Sequence, residues 1–207
     1  MITAFLVGCV AGFLVAIPPG PVSVTTIARS VHYGVAYALF VGLGAAVSET
    51  MYAAMGFFGV KLLYSAGMDT LVRLAGFILV LTLGIRYTFL SPTLKLKPVK
   101  NGRTGRNSFL LGLGLSLTTP TIGAAYFIIA GAIRTQSIFE YSIANNVFAS
   151  VGAGVGSILW VVVLVSGVHK TRNSFGEKTI HMISRASGVL LLLVGGYLGY
   201  SLFAAMK

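Results

Sequence analysis

Pro18, Pro19, Gly20 and Pro21 stand together inside an apolar run that otherwise has the length and composition of a membrane-crossing helix. Each proline removes a backbone donor and clashes with the preceding turn. In hydrocarbon no water is present to satisfy the carbonyls so released. A break of this kind is therefore tolerated only where it is buried in protein or lines a polar cavity. The cluster predicts two half-helices with exposed backbone between them. A half-helix beginning near Pro21 would present N–H groups and partial positive charge, which suit a carboxylate. Ser23 and Thr25 follow at once and can add hydroxyls.

The rest of the chain supports a membrane setting. Of 207 residues, 56% are hydrophobic and only 9% charged. Apolar stretches of about 20 residues, the length that spans a bilayer, recur. They run approximately over 2–28, 35–60, 71–90, 108–131, 143–168 and 186–206. The reading is an all-α integral membrane protein with six transmembrane helices, the first taken as a retained span because no basic flank or cleavage pattern accompanies it. The net charge of +11 is not read as a nucleic-acid signal, because the basic residues fall almost entirely in short connections. One side carries Arg29, then Lys95, Lys97, Lys100, Arg103 and Arg106, then Lys170, Arg172, Lys178 and Arg185, with Arg86 leaning the same way. The other side has Lys61, Arg73, Arg134 and Lys207. Excess Lys and Arg stay cytoplasmic. This puts the basic loop 91–107 inside and both termini outside. Topology explains that loop more simply than recognition of anionic lipid.

An internal repeat emerges. Arg73, Gly76 and Gly84 match Arg185, Gly188 and Gly196. Gly42 and Gly44 match Gly152 and Gly154, and Gly12 and Pro18 match Gly114 and Pro120. The chain, 1–207, then reads as one transporter domain. Repeat one covers about 1–90 and repeat two about 108–207, inverted because each half has an odd number of spans. Paired breaks in inverted halves point to a site near the midplane. In span four Pro120 breaks the ladder, and Thr118, Thr119 and Thr121 can satisfy part of it, although a structural kink is as good a reading for a lone proline.

Four acids exist, Glu49, Asp69, Glu140 and Glu177, and only Glu49 lies near the middle of a span. Helical spacing puts Gly42, Ala45, Ala46, Tyr52, Ala53 and Gly56 on its face, with Phe40, Val47, Met51 and Phe58 opposite. The small face should pack inward and the bulky face meet lipid. A charged acid there costs at least ~2.5–3.5 kcal/mol, so a functional role is the default: a proton carrier or the partner of an ammonium group. The plainer alternative is a neutral acid that holds helices together by a hydrogen bond. Arg73 and Arg185 at span starts are read as snorkelling, and Asn145 and Asn146 as reaching the cavity or capping a helix.

These residues carry a resemblance. The P-G-P break, the Gly-rich stretch YGVAYALFVGLGAAVSETMY with its acid, and the T-x-P break resemble the LysE/RhtB family of amino-acid exporters from residue 5 to about 200. The resemblance implies six helices in two inverted repeats, a bacterial inner membrane, a homodimer, and proton-driven export of amino acids or similar metabolites. The family's span-two acid is usually aspartate, here Glu49. Its fourth-span motif is usually N-P with a basic residue, here Thr119-Pro120-Thr121. The substrate-binding or coupling residues expected are Pro18, Pro19, Gly20, Pro21, Ser23, Glu49, Thr118, Thr119 and Pro120.

Other classes fit less well. A divalent-metal exporter wants several hard or soft ligands, and one buried acid is a poor set. Cys9 is the sole cysteine, which excludes an intrachain disulfide or thiol pair, and no nucleophile-and-base pattern suggests an enzyme. No metal and no cofactor are expected, and His32, His169 and His181 lack metal-ligand spacing. A scaffold would leave the buried acid and the broken helices unexplained.

Overall fold

The computed structural model describes residues 1–65, 69–89 and 104–170, with isolated positions between 182 and 200. Every element among the described residues is helical: α1 (Ile2–Ala16), α2 (Pro21–Tyr33), α3 (Val35–Ser65), α4 (Asp69–Phe89), α5 (Gly105–Leu117), α6 (Pro120–Thr135) and α7 (Ile143–Lys170). The proline clusters act where their chemistry requires. Pro21 and Pro120 each open a helix at its first position, where an N–H is not needed. The chain bends by 77° between α1 and α2 and by 64° between α5 and α6. α3 and α7 are long and apolar enough to cross a membrane unaided, and each bent pair passes the same test when taken as one span. The stretch 186–206 and the loop 91–107 lie largely outside the described residues. α5 begins inside that loop, at Gly105, with Thr104 accepting a 3.3 Å hydrogen bond from the Asn107 N–H as its cap.

The faces of α3 follow its periodicity. Phe40, Val47, Met51 and Phe58 are exposed, while Ala45, Ala46, Ala53 and Glu49 are buried. Arg29 departs from expectation. The sequence places it in a connection between spans, but it lies in the last turns of α2, fully buried, with its guanidinium 5.1 Å from the centre of the Tyr33 ring. Helix α2 continues past the point where apolarity fades, so the loop the sequence placed there is only the turn at Gly34.

Gly34 makes that turn at φ 100°, its N–H donating to the Arg29 and Ser30 carbonyls at 3.1 and 3.2 Å. At ψ 167° this is a backbone region occupied almost only by glycine, where an L side chain costs about 1–3 kcal/mol, and nothing lies within 4 Å to clash with a new Cβ. Gly34→Ala is therefore expected to lower stability by about that amount through the backbone alone, read as a lower thermal midpoint in detergent.

The helices meet through glycines. α1 packs along α7, and α5 along α3. A Cβ on Gly8 would land on the main chain of Ala149, and one on Gly112 on the main chain of Val41. A Cβ on Gly152 would strike the Phe5 carbonyl and the Cys9 amide, and one on Gly44 the Phe109 carbonyl and the Leu113 amide. The two crossings thus repeat the same contacts, atom for atom. Where α7 places Gly156 against the Cys9 carbonyl, α3 places Ser48, whose hydroxyl donates to the Leu113 carbonyl at 3.0 Å. This packing pairs Gly8 with Gly112 and Gly44 with Gly152. The sequence matches Gly12 with Gly114 and Gly44 with Gly154 were out of register, because glycines spaced along both helices allow several alignments and only contact selects one.

Candidate functional site

The two breaks leave two helix starts with few partners. In α2, Pro21 has no N–H and Val24 donates to the Gly20 carbonyl at 3.1 Å, so the Val22 and Ser23 amides are the ones directed out of the helix end. In α6, Pro120 has no N–H and Ile122 donates to the Thr119 carbonyl at 3.1 Å, which leaves the Thr121 amide. Neither start has a side-chain cap. Both open onto one cavity of about 250 Å³, walled by the end of α1, the start of α2, the middles of α3, α4 and α7, and one face of α6.

Glu49 stands on that wall, 4% exposed. The Tyr126 hydroxyl donates to its Oε2 at 3.2 Å, and the Ser157 hydroxyl hydrogen-bonds the same carboxyl. These are hydroxyl partners from α6 and α7. Among the described residues that line the cavity there is no Lys or Arg. A carboxyl held by hydroxyls in a largely apolar wall can take up a proton, or can accept an ammonium group as its counter-ion. Two helix starts on the same cavity supply partial positive charge for an anionic group.

The sequence-derived residues divide. Pro18, Gly20, Pro21, Ser23, Glu49 and Thr119 line the cavity. Pro19 is buried beside it without forming its wall. Thr118 and Pro120 are exposed and off the wall, and the Thr118 hydroxyl is spent on the Gly114 and Leu115 carbonyls at 2.9 and 3.1 Å. Thr119 likewise donates to the Leu115 carbonyl, at 2.7 Å, so the threonines do satisfy the end of the broken ladder. Asn145 and Asn146 serve backbone, donating to the Glu140 and Phe57 carbonyls at 2.7 and 3.3 Å.

Polar residues that escaped sequence reasoning include Thr26, Tyr126, Ser157 and Trp160. Tyr126 and Ser157 hold Glu49, while Thr26 and Trp160 stand on the cavity wall. Ser157 carried no sequence signal: only the packing of the helices places it on α7 against Glu49 on α3. Among the described residues no group of three His, Cys, Asp or Glu side chains forms a metal-sized cluster.

Comparison with known proteins gives two findings. The family model described as "LysE type translocator" matches residues 13–202. A curated protein of Bacillus subtilis (strain 168), named "Putative amino acid efflux protein YcgF", is 26% identical over 198 residues, covering 95% of each chain. No solved structure matches the chain.

Proposed function

The chain belongs to the LysE-type translocator family, and from that premise we propose that it exports amino acids or closely related metabolites in exchange for protons, with Glu49 as the exchanging group. Family membership makes it a membrane transporter rather than an enzyme. The observation that carries the export reading is the meeting of a buried carboxyl and two uncapped helix starts on one metabolite-sized cavity. The name of the Bacillus relative points to the same class of cargo. A single carboxyl that holds either an ammonium group or a proton makes the two compete, and competition for one site is what an exchanger needs.

The proposed architecture is one domain of two inverted three-helix repeats in a bacterial inner membrane. The repeated crossings support the inversion: α1 meets α7 as α5 meets α3. A third pair agrees, since Gly84 faces Leu192 as Gly188 faces Thr88. The basic loop would face the cytoplasm and both termini the outside, by the excess of Lys and Arg. A homodimer rests on the family resemblance.

The test is efflux from proteoliposomes loaded with a mixture of amino acids, with and without a pH gradient. Loss of at least one species that accelerates when the gradient is imposed is the expected result. Folded, monodisperse protein that releases no amino acid under either condition would overturn the export reading.

A further inference from the structure

We propose that Tyr52 is a positioning residue: by taking the Leu117 carbonyl it holds the α5–α6 break open and keeps the Thr121 N–H free for an anionic group of the cargo. This rests on the export reading above and names a residue outside the cavity wall that prepares the site. The backbone bonds through the break single it out. Gly114 keeps its regular donor, the Thr118 N–H, at 3.0 Å. Pro120 has no N–H, so the Ser116 carbonyl loses the donor that an unbroken helix supplies four residues on. The Thr119 N–H moves to it, at 3.0 Å. That deprives the Leu115 carbonyl, which takes the Thr119 hydroxyl at 2.7 Å instead. The Leu117 carbonyl is then left, and its regular donor would be the Thr121 N–H.

Leu117 does not use that donor. The Tyr52 hydroxyl, reaching over from α3, donates to its carbonyl at 2.7 Å. The Tyr52 ring also lies against Gly123 on α6, where an added Cβ would stand 3.0 Å from it. One side chain therefore touches both sides of the break. Leu117 is exposed, and in a membrane lipid offers an exposed carbonyl no donor. Without the Tyr52 hydroxyl, the Leu117 carbonyl would turn to the Thr121 N–H, and a bond between them would close the break. With it, Thr121 stays on the cavity wall with its N–H out of the ladder. Tyr52 lies one turn after Glu49 on α3, so one helix carries the acid and fixes a helix start on the same cavity.

Helix packing alone does not impose this fastening. Trp160 follows Gly152 on α7 by the same number of residues as Tyr52 follows Gly44 on α3, so the matching crossings set it near the end of α1. There its ring meets Phe13 edge-on, with centroids 5.6 Å apart, and its indole N–H has no hydrogen-bond partner among the described residues. The α1–α2 break thus has a ring contact where the α5–α6 break has a hydrogen bond.

Tyr52→Phe keeps the ring and removes only the hydroxyl, and two readouts on the purified full-length protein test it. The first needs no cargo: amide hydrogen exchange over residues 118–123, followed by mass spectrometry. This segment is expected to exchange more slowly in the variant, because the Leu117 carbonyl recruits the Thr121 N–H. Exchange that is unchanged or faster would overturn the proposal, whatever the protein transports. The second readout is proteoliposome efflux of the amino acid that the wild type releases fastest, with the corresponding amine as competitor. That amine keeps the ammonium group and lacks the carboxylate. Tyr52→Phe should raise the half-saturation for the amino acid about three- to tenfold, the effect of one lost hydrogen bond. The maximal rate should hardly change, the pattern of lost binding, and competition by the amine should stay as in the wild type. A loosened fold would instead weaken amino acid and amine alike, and that result would overturn the role toward the cargo. Gly123→Ala, which pushes the ring away from its place, should move both readouts the same way by a smaller factor, and it stands in if Tyr52→Phe is not recovered folded. Folded protein that exports no amino acid would overturn the export reading and the cargo role with it, while the exchange result still decides whether Tyr52 holds the break.

Discussion

Glu49→Gln is expected to reduce gradient-driven export to background while the protein remains folded. Glutamine has the same shape, and its carbonyl still accepts the hydroxyl bonds that Tyr126 and Ser157 donate. Packing on the small face of α3 is therefore kept. What disappears, on the proposed exchange, is the group that holds either the ammonium or the proton. A hydrogen bond to a charged group contributes about 1.5–3 kcal/mol, so the lost ammonium contact alone weakens cargo binding on the order of ten- to a hundredfold. On the proposed exchange the lost proton site also removes the coupling, so the residual flux should no longer respond to a pH gradient. Tyr126→Phe removes only one neutral-donor bond and should slow export a few-fold with the gradient response intact. The measurement is efflux with and without a gradient, alongside gel filtration to confirm folding. Gradient-driven efflux of Glu49→Gln equal to the wild type would make this acid a structural hydrogen-bonding group and move the coupling elsewhere.

The second large effect concerns the α1–α7 crossing. Gly12→Leu and Gly156→Leu are each expected to prevent recovery of folded protein. A Cβ at Gly12 would overlap the Ala153 carbonyl, and one at Gly156 the Cys9 carbonyl. Overpacking a core usually costs about 1–3 kcal/mol, but there the obstacles are side chains that can rotate. Here they are main-chain atoms of a neighbouring helix, so relief requires α1 and α7 to move apart. Membrane helices hold together through close packing rather than through hydrophobic expulsion, so separation along a small-residue seam removes most of what joins them. Gly114→Ala is the control, since a Cβ there meets nothing within 4 Å. Yield of monodisperse protein after detergent extraction, and its thermal midpoint, separate the two outcomes. Near-normal yield of Gly12→Leu would mean that the crossing is looser than its contacts imply.

The α5–α3 crossing should tolerate substitution differently. Ser48 and Ser116 sit where the α1–α7 crossing has Gly156 and Gly12, and both serines are fully buried. Ser48 uses its hydroxyl to tie α3 to α5 through Leu113. At that level alone, one crossing is closed by bare backbone contact and the other by a hydrogen bond, while the remaining glycine contacts match.

Several features were legible in the residues themselves because their causes are local. Pro21 and Pro120 open helices since a ring without an N–H fits only a first turn. The lipid face of α3 was readable from Phe40, Val47, Met51 and Phe58, and the inward turn of Glu49 from the small residues around it, because a helix repeats every 3.6 residues whatever it packs against. Membrane residence followed from the long apolar runs, and the family from the motifs on them. What only the tertiary structure decided depends on which helix lies against which. The register of the helix crossings was ambiguous among many glycines until Gly8 met Ala149 and Gly112 met Val41. Thr118 and Thr119 look equivalent in the chain, yet only Thr119 reaches the cavity. Tyr126 and Ser157 became partners of Glu49 only when α6 and α7 closed on α3, because a hydroxyl has no functional meaning until a neighbouring helix fixes what it faces.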